Sequence, residues 1–122
     1  MSWRMKKWLD DLSPTLWGDI DGKIACAFSS SGTWGGGAEL VCREILTVLM
    51  NYGFLTFSVT DWVADRHSPH YGSISAGAPR VQGAQESCLR LGRRLSEWCL
   101  TYIAGDKAYH TMNADYPRPI SK

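Results

Sequence analysis

The sequence predicts an α/β protein built on a parallel sheet, and three observations carry that reading. An apolar run at residues 23 to 29 (KIACAFS) shows no polar alternation, as a strand covered on both faces requires. Helical periodicity appears at residues 2 to 12, 38 to 52 and 83 to 104, between and around the strand-like stretches. The resulting order of helix, strand, helix, strand, short strand, helix calls for right-handed crossovers between parallel strands.

Each element has its own warrant. In the first helix Met5, Trp8, Leu9 and Leu12 recur at helical spacing, and Arg4, Lys6, Lys7, Asp10 and Asp11 fill the rest. Ser2 is a candidate cap. Ser13-Pro14 predicts the end, since proline pushes the preceding residue out of helical geometry. Residues 17 to 22 then read as a loop and 23 to 29 as the buried strand. From Ala38 to Tyr52 a broad apolar face comes from Leu40, Val41, Ile45, Leu46, Val48 and Leu49, with Gly53 placed to stop the helix in left-handed geometry. Residues 54 to 59 read as a second strand, 60 to 72 as a long functional or interface loop, and 73 to 76 as a short strand. The last helix carries Ala84, Cys88, Leu91, Leu95, Trp98 and Tyr102 inward, which assigns Arg90, Arg93, Arg94 and Glu97 mostly to solvent. Residues 1 to 105 form one domain, and the proline-containing stretch 106 to 122 reads as a flexible tail.

Composition narrows the function. With 122 residues, 44% hydrophobic and 20% charged, the chain suits one soluble domain. A formal charge of +1 gives no reason to expect nucleic acid or anionic membrane as a partner. No apolar run suits a membrane span or a secretory leader, so a cytoplasmic location is expected. Cys26, Cys42, Cys88 and Cys99 contain no CxxC pair and no zinc pattern with the histidines; they read as buried, reduced thiols, and no metal site is expected. Of the six tryptophans most are assigned to the core. Trp34 is the exception, because it stands within a glycine-rich loop.

That loop, FSSSGTWGGG at residues 28 to 37, follows the buried strand and opens a helix. In parallel sheets ligands bind at this position, beyond the carboxyl ends of strands. A phosphate cradle would use the amides of Gly35, Gly36 and Gly37, but the Walker and GxGxxG spacings are absent. A nucleophile elbow would need G-x-S-x-G, and here the serines precede the first glycine. A flat heterocycle would find close backbone at the glycines, hydroxyls for its polar edge and the Trp34 ring for one face. The remaining reading is a plain strand-to-helix turn.

The stretches DGKIACAFSSSGTWGGGAEL, LTVLMNYGFLTFSV, HYGSISAG and LGRRLSEW together resemble the carboxyl-terminal portion of flavodoxin-like proteins. Within these the resemblance is to NAD(P)H:quinone oxidoreductases of the tryptophan-repressor-binding-protein type, and it runs from Ser2 to about Gly105. It implies FMN, with Ser30, Ser31, Gly32, Thr33, Gly35 and Gly36 around the flavin ring. Trp34 looks like an insertion in that motif. Asn51 stands where that branch often has a flavin-facing histidine, and Tyr71 falls in a segment that lies near flavin or a subunit interface there.

The same resemblance implies a three-layer flavodoxin-like sheet whose amino-terminal strands are missing, that is, a truncated or half domain. The phosphate-binding turn belongs to the missing part, so the expectation is weak or no FMN binding by the chain alone, and a homo-oligomer or a complementing chain that supplies the strands. No residue is marked as catalytic. The expected function is an FMN-binding electron-transfer or oxidoreductase module. The alternative is an interaction module or remnant that no longer binds flavin.

Overall fold

In the computed structural model residues 1–20, 22–60, 63 and 68–105 are described, and the side chains of 13–19 are not. The expected loop positions 61, 62 and 64–67, the tail 106–122, and the core assignments of Trp17 and Trp62 lie outside the described residues or side chains. The elements are α1 (Trp3–Ile20), β1 (Ile24–Ala25), β2 (Phe28–Ser31), α2 (Ala38–Asn51), β3 (Leu55–Thr56), β4 (Ser73–Ala76) and α3 (Gln82–Trp98), and α3 runs into a π-helical turn at Cys99–Ile103. Among the described residues no helix is long and apolar enough to cross a membrane.

Among the described residues all strand pairing is parallel, as expected for an α/β chain: β1 lies beside β3 and β2 beside β4. The expected single strand at 23 to 29 is two short ones, because its partner changes along its length. Ile24 stands opposite Leu55, but Phe28 stands opposite Ser73. The amides of Leu55 and Phe57 donate to the carbonyls of Lys23 and Ala25, and those of Ser73 and Gly77 donate to Ala27 and Ser31. One continuous edge is thus paired by two segments, and the chain between them is an excursion. Its neck is closed by the Val59 amide donating to the Pro69 carbonyl (3.4 Å) and by the Ser58 hydroxyl donating to the His70 carbonyl. Val59 and Pro69 are both buried.

The return into β4 depends on Gly72. Its φ is +131°, and a Cβ there would sit 2.2 Å from the Ala27 carbonyl oxygen. Only glycine lets the backbone pass this close.

The core is small. Leu9 of α1, Ala27, and Cys42, Ile45 and Leu49 of α2 form its buried cluster, and Ile74 of β4 packs against it. The Tyr52 hydroxyl donates to the Leu9 carbonyl (2.9 Å) in a buried bond that ties α1 to the end of α2. Neighbouring residues of a strand face opposite ways. Ile74 faces this cluster, while the Ser73 hydroxyl accepts from that of Ser87 on α3 (2.9 Å), so α2 and α3 take opposite faces of β4.

Several expectations are corrected. Ser2 does cap α1, its hydroxyl accepting from the Met5 amide (3.3 Å), but the helix does not stop at Ser13-Pro14. It continues to Ile20, whose side chain is buried, and that anchor holds the last turn past the bond that proline removes. Trp3 and Trp8 are exposed rather than core residues, because Leu9 supplies the inward contact and its neighbours rotate away. Glu97, assigned to solvent, is buried; its carboxylate lies 3.2 Å from both the Arg93 and Arg94 Nε atoms, which compensates the charge. Gly53 ends α2 with φ +84° as expected.

Candidate functional site

The glycine loop leaves β2 at Ser31 and enters α2 at Ala38. Gly35 and Gly37 hold φ values of +78° and +81°, and a Cβ at either would meet nothing within 4 Å. Their need is conformational rather than spatial, and the ground above them is open. Gly37 caps α2 in the left-handed region with no side-chain bond, so the amides of the first turn have no side-chain cap. Gly36 is crowded instead: a Cβ there would lie 2.9 Å from the Ser31 Oγ and 3.0 Å from the Thr33 carbonyl.

Hydrogen bonds fix this shape from within. The Ser31 hydroxyl donates to the Thr33 carbonyl (2.7 Å), which also accepts from the Gly36 amide (3.2 Å). The Ser30 hydroxyl donates to the Gly77 carbonyl (2.7 Å). Both serines expected to bond a ligand edge therefore spend their protons on backbone, though their oxygens can still accept.

Beside the loop is a hollow of about 270 Å³ lined by Ser31, Trp34, Gly35, Gly37, Ala38, Glu39, Leu40 and Ile74. Trp34 stands at its rim, 51% exposed. Most of the lining is apolar or small, and Glu39 is its one charged residue. The volume lies just under the usual 300–1,000 Å³ of pockets that take whole small molecules. The lining offers the Trp34 indole and the aliphatic side chains of Leu40 and Ile74. A phosphate finds no cation in its lining.

Of the residues singled out in the sequence, Ser31, Trp34 and Gly35 line the hollow, while Gly32, Thr33 and Gly36 belong to the same loop outside the lining. Ser30 is on the opposite sheet face from Ser31 by strand alternation. Asn51 does not converge: it is exposed at the far end of α2, roughly 20 Å from the loop at 1.5 Å per residue. Tyr71 is half exposed and sits before β4, at the end of that strand away from the loop.

The structure adds residues the sequence reading passed over. Ile74 and Leu40 complete the hollow, Glu39 brings its charge, and Gly77 lies against Ser31, its amide donating to the Ser31 carbonyl (2.7 Å). For Gly77 there was a signal: a glycine at a strand end, in a Gly-Ala-Pro turn, facing the same end of the sheet as the loop. Among the described residues no cluster of histidine, cysteine and acidic side chains could hold a metal.

The chain is similar to two flavodoxins. It is 57% identical over 107 residues to that of Aquifex aeolicus strain VF5, an alignment covering 88% of this chain and 58% of that protein. It is 38% identical over 58 residues to that of Clostridium saccharobutylicum, covering 48% of this chain and 34% of that protein. The chain is flavodoxin-like. It spans less than two thirds of the length of either relative, and no family model matches it.

The clear shifts near the core belong to two thiols: Cys42 is buried, while Cys26, Cys88 and Cys99 are only half-buried, against the expectation that all four are buried. Burial pushes Cys42 up to about 11, helped by the Glu39 charge and by Cys26. Burial likewise pushes Cys26 up to about 11, with Cys99 adding to it. Both stay protonated at neutral pH and behave as small apolar groups, with Cys42 donating weakly to the Ser73 carbonyl (3.8 Å).

Proposed function

We propose that this chain is an FMN-binding electron-transfer module, with the flavin ring in the hollow beside the glycine loop. The observation that carries the reading is that hollow: an open glycine cradle with Trp34 at its rim, at the carboxyl end of a parallel strand, in a chain 57% identical to a flavodoxin over 107 residues. Trp34 covers a ring face, Gly35 lets backbone approach, and the Ser31 hydroxyl oxygen accepts from the ring's polar edge. Gly32, Thr33 and Gly36 hold the loop's shape. Bound there, FMN would supply reversible electron uptake, and the protein's part is to orient the ring and set its surroundings.

Glu39 is a negative charge at the ring's border. It opposes electron uptake by the ring and so favours the oxidised form. Asn51 and Tyr71 are left out of this site by their distance along α2 and β4, and a quinone-reductase role of the tryptophan-repressor-binding-protein type gains no support from Asn51.

The three-layer flavodoxin-like sheet is part of the same proposal, with a further strand on the open side of β1 and β2. The support is that among the described residues each of these strands has one neighbour, and that Phe28 is 75% exposed. A second copy or a complementing chain can supply that strand. Without it the phosphate lacks an anchor, and the chain alone binds FMN weakly.

The test is titration of the purified chain with FMN, read by tryptophan fluorescence. Quenching that falls away in Trp34→Phe is the expected result. Equal quenching in that variant means the ring lies elsewhere. No quenching at FMN concentrations up to millimolar, even with the strand supplied, favours the other reading, an interaction module that no longer takes flavin.

A further inference from the structure

We propose that Ser30 and Ser75 are a pair of positioning residues that brace the glycine loop from the sheet face opposite the hollow. They are register partners across β2 and β4. Each hydroxyl donates to the same acceptor, the Gly77 carbonyl oxygen, at 2.7 Å. A carbonyl has two lone pairs, so this one is fully used. The amide of Gly77 is used as well, donating to the Ser31 carbonyl at 2.7 Å. Gly77 is thus held at three points while its φ of +67° turns the chain away from the sheet.

The bonds continue into the loop. Ser31, whose carbonyl receives the Gly77 amide, places its own hydroxyl on the Thr33 carbonyl, and the same carbonyl receives the Gly36 amide. Between Thr33 and Gly36 lie Trp34 and Gly35, two residues that line the hollow. A series of hydrogen bonds therefore runs from two serines on one sheet face to the ring-facing residues on the other. Ser75 is buried and absent from the lining, so it acts through the backbone. Ser30 faces the same way as Ser75. Its hydroxyl serves the brace instead of the ring edge to which the sequence assigned it.

The effect on flavin rests on the reading given under Proposed function; the effect on the loop does not. The experiment keeps them apart. Ser30→Ala, Ser75→Ala and the double variant are compared with the parent chain by amide hydrogen exchange without flavin, then by FMN titration. Exchange at the Gly77 and Gly36 amides is expected to quicken in either single variant, and the double variant is expected to be little faster than the singles. Ser75→Thr, which keeps the hydroxyl, restores slow exchange. FMN affinity falls about three- to tenfold in each single variant and no further in the double, since losing either member disables one brace.

Two results overturn the proposal: unchanged Gly77 and Gly36 exchange in both alanine variants, or weakened FMN binding in Ser30→Ala alone, which makes Ser30 a direct ligand contact. If the parent chain takes up no FMN even with the strand supplied, the flavin reading fails, and the exchange measurement still decides the brace.

Discussion

Gly72 shows how much one missing side chain can organise. The partner of the strand edge changes at Ala27, and the incoming chain must pass against that carbonyl before β4 can form. Alanine at position 72 would bring Cβ to 2.2 Å from an oxygen that belongs to backbone and cannot swing aside. The φ of +131° adds strain for any L side chain. Gly72→Ala is therefore expected to lose at least about 2 kcal/mol, which urea unfolding followed by far-ultraviolet circular dichroism measures. By contrast Gly92→Ala has open space around its Cβ, lies within α3, and should gain about 0.5–1 kcal/mol through helix propensity. If the two variants proved equally stable, the close passage at Ala27 would be wrong. The thiols of Cys26 and Cys42 give a second prediction at this scale. Cys26 and Cys42 hold their protons up to about pH 11, against an unfolded value near 9.0. Between these pH values the unfolded chain has already released protons that the folded chain keeps. Unfolding is then linked to proton loss, so stability present below pH 9 drains away as pH rises toward 11. Denaturation midpoints should fall over that window, and fall less in Cys26→Ser, whose side chain does not ionise there. A flat profile from pH 8 to 11 would contradict the desolvation of both groups.

Among the elements, legibility followed local regularity. Helix α2 and strand β4 match their expected spans because periodicity and the flanking glycines agree with the final packing. The start of α3 matches for the same reason. At its other end the helix passes into a π turn, where the Ala104 amide reaches back to the Cys99 carbonyl, and the sequence carries no periodic mark of that change. The strand at 23 to 29 was found, but its division was not, since the division comes from which chain lies opposite. Helix α1 was cut short at Pro14 by a rule about local conformation, and the buried Ile20 beyond it outweighs that rule. The conflict has an energetic consequence. Proline within a helix loses a backbone donor and costs roughly 3 kcal/mol relative to alanine. Pro14→Ala should therefore raise stability by about 1–3 kcal/mol, visible as a higher midpoint in thermal unfolding followed by circular dichroism. A lower midpoint would mean that the helix after Pro14 is not part of the cooperative unit.

At the scale of the whole molecule, the site was legible as a loop but not as a surface. The glycines and Trp34 stood out in the sequence, whereas Ile74, Leu40 and Gly77 come from elements whose side-by-side placement only the parallel pairing decides. Asn51 was assigned by correspondence with other proteins, whereas the length of α2 separates it from the loop at the other end of that helix. The same pairing leaves the molecule with unfinished business. In the segment 23 to 31 the carbonyls of Lys23, Ala25, Ala27 and Ser31 point to one side and are occupied. Strand alternation turns the backbone groups of Ile24, Phe28 and Ser30 to the other side, where neither β1 nor β2 has a neighbour among the described residues. An edge with free donors and acceptors and an exposed phenylalanine favours pairing with another chain. Sedimentation of the chain alone should show mass rising with concentration. Phe28→Lys places a charge on that edge, as natural edge strands do, and should hold the chain near monomer. The substitution removes little buried surface, so its unfolding midpoint should stay within about 0.5 kcal/mol of the parent's, which separates a lost interface from a damaged fold. A parent chain that remains monomeric over the same range would mean that the edge is satisfied within the molecule, and the proposal of an added strand would fall with it.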